Sequence, residues 1–222
     1  MRTLAIGDIH GCRRAITTLL QAVKPAKNDR LIFLGDYVDR GPDSPSVINT
    51  LLGLQSRCKT VFLRGNHEAM MLDARQSFLK SDIWQGCGGF ETVASYGAEH
   101  RTDWEGSVPE AHWAFLEQTV RTFETPKQIF VHACLDPALE LEEQPDWVVL
   151  WEYFENIKPH KSGKKVICGH TPQPNGSPED VGYAVCIDTG CVYGRWLTCL
   201  DVDSGHYWQA NEQGESRQKD PD

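Results

Sequence analysis

Short apolar runs alternate with amphipathic stretches along the first third of the chain. Residues 3–6, 30–34 and 60–63 are rich in Leu, Ile, Val and Phe and have the length of buried strands. Between them, residues 13–23 and 46–54 place apolar side chains at helical spacing. This alternation of strand, loop and helix is typical of parallel strands joined by right-handed crossovers.

The second half of the chain continues the pattern less regularly. Further strands are predicted at residues 129–131, 166–168, 184–187 and 197–200, and a helix at residues 109–120. These elements predict two packed layers of mixed sheet flanked by helices. We expect a single domain over residues 1–210, and a frayed tail over residues 211–222 because that segment is almost wholly polar.

Polar side chains follow the first three strands at the point where each strand ends. The three segments read Gly-Asp-Ile-His-Gly at 7–11, Gly-Asp-Tyr-Val-Asp-Arg-Gly at 35–41 and Arg-Gly-Asn-His-Glu at 64–68. Two later strands end at His132 and His170. Because parallel sheets bind ligands at the carboxyl ends of their strands, we expect these side chains to converge.

The residue types at these positions suit divalent metal ions. Two carboxylates, one amide oxygen and three imidazoles are available, from Asp8, His10, Asp36, Asn66, His132 and His170. A carboxylate can bridge two ions, and six donors leave open positions for water and substrate, as catalysis requires. A lone Asp-x-His pair more often caps a helix or satisfies a backbone carbonyl. Taken together, the six predict a dinuclear metal site.

Composition narrows the class of protein. With 40% hydrophobic and 24% charged residues and no long apolar run, the 222-residue chain is expected to be soluble, without membrane contact. A net charge of −9 disfavours nucleic acid as a partner. No secretion signal precedes the first strand, so a cytoplasmic location is expected. The eight cysteines form no Cys-x-x-Cys pair and are expected to be thiols.

The motifs resemble those of a known enzyme family. Together with Val-His-Ala at 131–133, Gly-His-Thr-Pro at 169–172 and Ile-Asp-Thr-Gly at 187–190, the three segments are similar to the signature set of the phosphoprotein phosphatase family of metallophosphoesterases. Trp84, Gly88-Gly89, Thr92 and residues 95–97 resemble the compact bacterial and phage-type serine/threonine phosphatases. The resemblance implies an α/β calcineurin-like metallophosphoesterase sandwich of two mixed β-sheets flanked by α-helices.

The resemblance also implies how the ligands are shared. Asp8, His10 and Asp36 would hold one ion, and the second would be held by Asp36, Asn66, His132 and His170, with Asp36 bridging. The two divalent ions are expected to be Mn²⁺, with Fe²⁺ or Zn²⁺ as alternatives. Such a pair ionises a bridging water for direct attack on phosphorus, so no covalent phospho-enzyme is needed.

Four further residues are expected to act on the phosphate. His67, with Asp39 as its partner, would protonate the leaving alkoxide. The alternative is that His67 has no catalytic role and is simply a histidine at the start of a helix, with Asp39 exposed beside it. Arg40 and Arg64 would clamp phosphate oxygens, although an arginine taken alone is more often part of a surface ion pair.

The chain departs from its relatives after Leu150-Trp151. An arginine that reaches the phosphate is expected shortly after this pair, but Glu-Tyr-Phe follows. Possible substitutes are Lys158, His160, Lys161 and Arg195. The acidic loop at residues 136–146 either lies at the mouth of the site and repels acidic phosphopeptides or is a solvated loop.

The sequence therefore predicts a metal-dependent phosphomonoesterase. Expected substrates are phosphoproteins, at Ser/Thr and also Tyr, and small aryl phosphates. One alternative is a symmetrical dinucleoside tetraphosphatase. An alternative of another class is a catalytically silent metal- or phosphate-binding module. The physiological substrate and the oligomeric state are left open.

Overall fold

The computed structural model describes residues 1–220, whose strands form two sheets. The strands are β1 Thr3–Ile6, β2 Arg30–Phe33, β3 Lys59–Phe62, β4 Thr122–Glu124, β5 Gln128–Val131, β6 Lys165–Cys168, β7 Glu179–Asp180, β8 Ala184–Cys186, β9 Leu197–Asp201, β10 Tyr207–Ala210 and β11 Ser216–Lys219. The α-helices are α1 Arg13–Val23, α2 Ser44–Gln55, α3 Asn66–Ala74, α4 Phe78–Trp84, α5 Phe90–Ser95, α6 Glu110–Glu117 and α7 Asp146–Trp151.

Both sheets are mixed. The first has the order β11-β10-β9-β1-β2-β3, with β1, β2 and β3 parallel as predicted and β9 to β11 antiparallel. The second has the order β4-β5-β6-β8-β7, in which β5, β6 and β8 run parallel. The predicted arrangement of two mixed sheets flanked by helices is confirmed.

The sheets pack face to face through apolar side chains. One buried cluster joins Ala5 and Ile32 of the first sheet to Phe130, Ile167 and Val185 of the second. A second cluster covers the other face of the first sheet with α1, α2 and α6, and a third packs α7 against the second sheet. The rigid sandwich leaves the loops after β1, β2, β3, β5 and β6 free to carry polar side chains.

The predicted frayed tail is wrong for most of its length. Ser216–Lys219 forms β11 and pairs with β10. The carboxylate of Glu212 accepts hydrogen bonds from the backbone N–H groups of Arg14 and Ala15, at 3.2 and 2.9 Å. These N–H groups open α1, whose own cap residue supplies no side-chain bond. A polar segment is thus ordered by backbone pairing and helix capping. The last two tail residues, 221–222, lie outside the described part, and the domain boundary at 210 stays a prediction.

Within residues 1–220, no helix combines the length and apolar character needed to cross a membrane.

Candidate metal centre

The carboxylate of Asp36 lies between two groups of imidazoles. Its Oδ2 is 3.3 Å from Nε2 of His10, and its Oδ1 is 3.5 Å from Nε2 of His132. Within 4.8 Å, ligand atoms of His10 and His67 gather on one side of Asp36, and those of His132 and His170 on the other. Asp36 is therefore common to both groups, and its role as a ligand that bridges two ions stays a prediction.

Backbone carbonyls orient the three predicted imidazole ligands. Nδ1–H of His10 donates to the carbonyl of Val38, and Nδ1–H of His132 donates to that of Leu34, each at 2.8 Å. His170 uses its other nitrogen, since Nε2–H donates to the carbonyl of Trp151 at 3.2 Å. Each ring thus turns an unprotonated nitrogen toward the cluster, which is how metal-binding histidines are held.

Several electron-pair donors meet beside Asn66 without a proton between them. Oδ1 of Asn66 lies 3.0 Å from Nε2 of His132 and 3.2 Å from Nδ1 of His170. With both rings donating from their other nitrogen, all three atoms are acceptors. Burial lowers the pKa of His132 to about 4, so this ring stays neutral near pH 7. A cation is the group that would satisfy the converging lone pairs.

Asp8 shows the same need for positive charge. One carboxylate oxygen accepts from the backbone N–H of His170 at 3.0 Å, while Oδ1 is buried and has no hydrogen-bond partner within residues 1–220. Burial, together with the charges of Asp188 and Asp36, raises the pKa of Asp8 well above its usual range. The donors of this cluster, hard oxygens and neutral imidazoles, fit divalent cations.

Gly169 lets the two halves of the cluster approach. A Cβ on Gly169 would lie 2.1 Å from Oδ1 of Asp8. Any larger residue would therefore displace a predicted ligand.

Left-handed backbone is concentrated at this site. Non-glycine residues with positive φ in the described chain are His10, Asp36, Asp39, Arg40 and His170, with Lys24 as the sixth. Such conformations are uncommon for these residue types, and strain of this kind clusters at functional sites. The loops are held by hydrogen bonds such as those from the N–H groups of Ile9 and His10 to the carbonyl of Asp36, at 3.0 and 2.8 Å.

Glu68 ties the second and third loops together. Its buried carboxylate accepts from the N–H groups of Asp36, Tyr37 and Gly65 at 2.7 to 2.9 Å. Burial and the charge of Asp36 raise its pKa to about 8, while the N–H donors oppose that shift. Glu68 lies in the first turn of α3, and it positions the loop that carries Asp36.

His67 and Asp39 form a buried pair beside the metal ligands. Nδ1 of His67 is 2.7 Å from Oδ2 of Asp39, and Nε2 of His67 is buried without a partner in the described chain. The ring lies 4.8 Å from that of His10, measured between centroids. Because Asp39 is fully buried, the alternative of a histidine beside an exposed aspartate does not hold.

Two residues that sequence reasoning gave no catalytic role hold Asp39. The indole Nε1–H of Trp84 donates to Oδ2 at 2.7 Å, and the hydroxyl of Thr92 donates to Oδ1 at 2.8 Å. The one signal in the sequence was that both residues belong to the pattern following the third polar segment.

The two predicted arginines differ in placement. Nη1 of Arg40 lies 2.9 Å from Nε2 of His10, so its guanidinium reaches the cluster. Arg64 instead donates to Oγ1 of Thr119 and to the carbonyl of Glu117, both at 2.9 Å. The last carbonyls of α6 lack helical partners, and Arg64 satisfies them. Its predicted role as a phosphate clamp stays a prediction.

Three of the four proposed substitutes for the missing arginine bond elsewhere. His160 is buried against the carbonyl of Leu139, Lys161 pairs with Glu140, and Arg195 points to the carbonyl of Gln173. The pairing of Lys161 also neutralises part of the acidic loop. The structure therefore leaves both the replacement for this arginine and the role of the loop as predictions.

Comparison with known proteins places the fold and the cluster in one family. The profile of the calcineurin-like phosphoesterases matches residues 1–201. A bis(5'-nucleosyl)-tetraphosphatase of the asymmetrical type from Bacillus subtilis is 30% identical over 220 residues, covering 87% of each chain. A symmetrical bis(5'-nucleosyl)-tetraphosphatase from Pseudomonas putida is 26% identical over 283 residues, covering 93% of this chain and 92% of the relative. Serine/threonine-protein phosphatase 1 from Salmonella typhimurium is 31% identical over 217 residues, covering 89% and 90%.

Proposed function

The chain belongs to the calcineurin-like phosphoesterase family, and from this membership we propose that it hydrolyses the phosphoanhydride chain of dinucleoside tetraphosphates. The observation that carries the proposal is the match to two tetraphosphatases along 87% and 93% of this chain. From the sequence alone, a symmetrical dinucleoside tetraphosphatase was the alternative to a phosphoprotein phosphatase. The phosphoprotein reading, which the sequence favoured, becomes the second candidate.

In this proposal the predicted ligands would hold two divalent ions. Asp8, His10 and Asp36 would hold one divalent ion, and Asn66, His132 and His170 would complete a second site that shares Asp36. When bound, such ions supply positive charge for phosphate oxygens and lower the pKa of the attacking water. Arg40 would orient the phosphate through its guanidinium fork. The departing nucleotide phosphate is a weak base and needs little help from an acid.

One structural feature favours the second candidate, hydrolysis of phosphoserine or phosphothreonine in proteins. An alkoxide leaving group is strongly basic and requires a proton in the transition state. The buried His67–Asp39 pair, with Nε2 of His67 free of protein partners in the described chain, is suited to supply it. The 31% identical serine/threonine-protein phosphatase 1 also supports this candidate.

A single substrate panel tests both candidates. Purified protein is stripped of metal and reconstituted with Mn²⁺, Fe²⁺ or Zn²⁺, Mn²⁺ being the predicted ion. It is then assayed with diadenosine tetraphosphate, a phosphoserine peptide and an aryl phosphate. We expect kcat/KM for the tetraphosphate to exceed that for the peptide by roughly tenfold or more. Formation of two ADP would indicate symmetrical cleavage, and ATP with AMP asymmetrical cleavage.

Other outcomes of the panel reassign the protein. A preference for the phosphopeptide would replace the first candidate by the second. Metal binding without turnover of any substrate would instead support the silent binding module.

A further inference from the structure

A pocket of about 440 Å³ opens between α3, α4 and α7, beside the metal centre. This side pocket is lined by Arg64, Met70, Lys80, Ile83, Arg121 and Trp151, among others. Trp84 also lines it, and the same indole donates to Asp39. The pocket therefore adjoins the cluster without containing any predicted metal ligand.

Cations give this pocket a positive character in a protein of net charge −9. Lys80 pairs with Asp73 at 3.0 Å and Arg121 with Asp146 at 2.7 Å, and all four residues line the pocket. Arg64 donates to a hydroxyl and to carbonyls, which are neutral, so no carboxylate offsets its charge in these bonds. One positive charge is left in excess.

Arg121 also carries an unsatisfied donor. Its Nε–H is buried and makes no hydrogen bond within residues 1–220, although the rest of the guanidinium contacts Asp146 and the carbonyl of Gln144. A buried donor without a partner costs free energy. An anionic group in the pocket would offset the excess positive charge.

An exposed aromatic face completes the pocket. The side chain of Trp151 is 44% exposed, and Ile83 is 56% exposed. The backbone carbonyl of Trp151 accepts from Nε2–H of His170 at 3.2 Å, which fixes the position of this residue relative to the metal ligands. Indole rings stack on nucleobases with little dependence on base identity.

We propose that the side pocket binds one of the two nucleotides of the dinucleoside tetraphosphate. This distal nucleotide is the one that lies farther from the metal centre, where the phosphoanhydride bond is cleaved. Its base stacks on Trp151, and its phosphates lie against Arg64, Lys80 and Arg121. This inference rests on the proposed function and adds where the second nucleotide is held. A phosphate ester that lacks a second nucleotide does not reach the pocket.

The test compares three variants on one helix. Trp151→Leu removes the aromatic face, Trp151→Phe keeps part of it, and Trp147→Leu is the matched control because Trp147 is 62% exposed on α7 and does not line the pocket. Steady-state kinetics are measured with diadenosine tetraphosphate and with an aryl phosphate. We expect Trp151→Leu to raise KM for the tetraphosphate about tenfold relative to KM for the aryl phosphate, with Trp151→Phe intermediate. Trp147→Leu should match the wild type.

The charged wall has its own variant. Lys80→Gln, at an exposed position, should raise KM for the tetraphosphate several-fold, and more at low than at high ionic strength. The diagnostic quantity is the ratio of KM for the tetraphosphate to KM for the aryl phosphate. If this ratio is the same in Trp151→Leu as in Trp147→Leu, the side pocket does not bind the distal nucleotide, while the proposed function still stands. Failure of the wild type to hydrolyse diadenosine tetraphosphate, with turnover of the aryl phosphate retained, would instead remove the proposed function and the inference built on it.

Discussion

His67 and Asp39 share a 2.7 Å hydrogen bond between Nδ1 and Oδ2 in the interior of the protein. The bond fixes the imidazole so that Nε2 points away from Asp39, with no protein partner in the described chain. Because Asp39 lies on the loop after β2 and His67 in the first turn of α3, the bond also holds these two segments together. The contribution of the His67–Asp39 pair to catalysis depends on how basic the leaving group is.

Replacement of His67 by Asn should separate the candidate substrates. We expect turnover of an alkyl phosphate such as a phosphoserine peptide to fall by on the order of 10² to 10⁴, because the leaving alkoxide loses its acid. Turnover of diadenosine tetraphosphate should fall much less. The measurement is kcat on both substrates, with bound metal determined for each preparation. Equal losses on the two substrates at full metal content would show that His67 does not act as the acid.

The hydrogen bond from Trp84 to Asp39 predicts a positioning role. Trp84→Phe removes a donor from a buried carboxylate, so His67 is held less firmly, and alkyl phosphate turnover should fall about tenfold. Trp104→Phe is the matched control, since Trp104 packs against Trp84 but donates to the hydroxyl of Ser81. We expect Trp104→Phe to keep the turnover of the wild type. An equal loss of turnover in the two variants would show that packing of the indole, and not its hydrogen bond to Asp39, is what matters.

The helix and strand pattern was predictable where it is local and regular. Helix α1 runs over residues 13–23 as expected, because its apolar stripe is continuous. Helices α3 to α5 had no such stripe, and residues 85–89 between them include Gly88 at a φ of 113°. The helix predicted at 109–120 covers only Glu110–Glu117. Short elements of this kind are fixed by tertiary contacts that a periodicity cannot show.

The convergence of the cluster was predictable for a different reason. Asp8, His10 and Asp36 follow parallel strands, and such strands end at one edge. By contrast, the turn of Arg64 toward α6 depends on Thr119, fifty-five residues away in sequence. The cap that Glu212 gives to α1 spans a separation of 197 residues at Ala15. Contacts at such separations leave no local pattern.

The position of Asp36 between two ligand groups predicts a loss of both metals when its charge is removed. Asp36→Asn keeps the shape but cannot supply two anionic oxygens, so bound divalent metal should fall at both sites. Asp103→Asn is the control, because that carboxylate lies on the surface and pairs with Arg101. Metal content per chain is measured after gel filtration, with circular dichroism as a check on folding. Full occupancy in folded Asp36→Asn would refute the shared ligand.

Away from the site, the ion pair of Arg2 and Asp29 predicts an acid-dependent part of stability. Burial works against ionisation of Asp29, but the hydrogen bonds from the Arg2 side chain and from the N–H groups of Arg2 and Ala26 outweigh it and lower its pKa to about 2. A pKa lowered in the folded state stabilises the protein above the unfolded value, near 4, and this stabilisation is lost as the pH falls toward 2.

Asp29→Asn removes this titration. Near pH 7 the wild type should be more stable by about 1 to 2 kcal/mol from ionisation, after allowance for solvent screening at the partly exposed Arg2. The difference in free energy of unfolding between the two proteins, measured by urea denaturation, should narrow from about pH 4 downward. Since Asn also loses a hydrogen bond at every pH, the narrowing and not the absolute difference is the diagnostic quantity. A constant difference down to about pH 3 would mean that the Asp29 carboxylate contributes through shape alone.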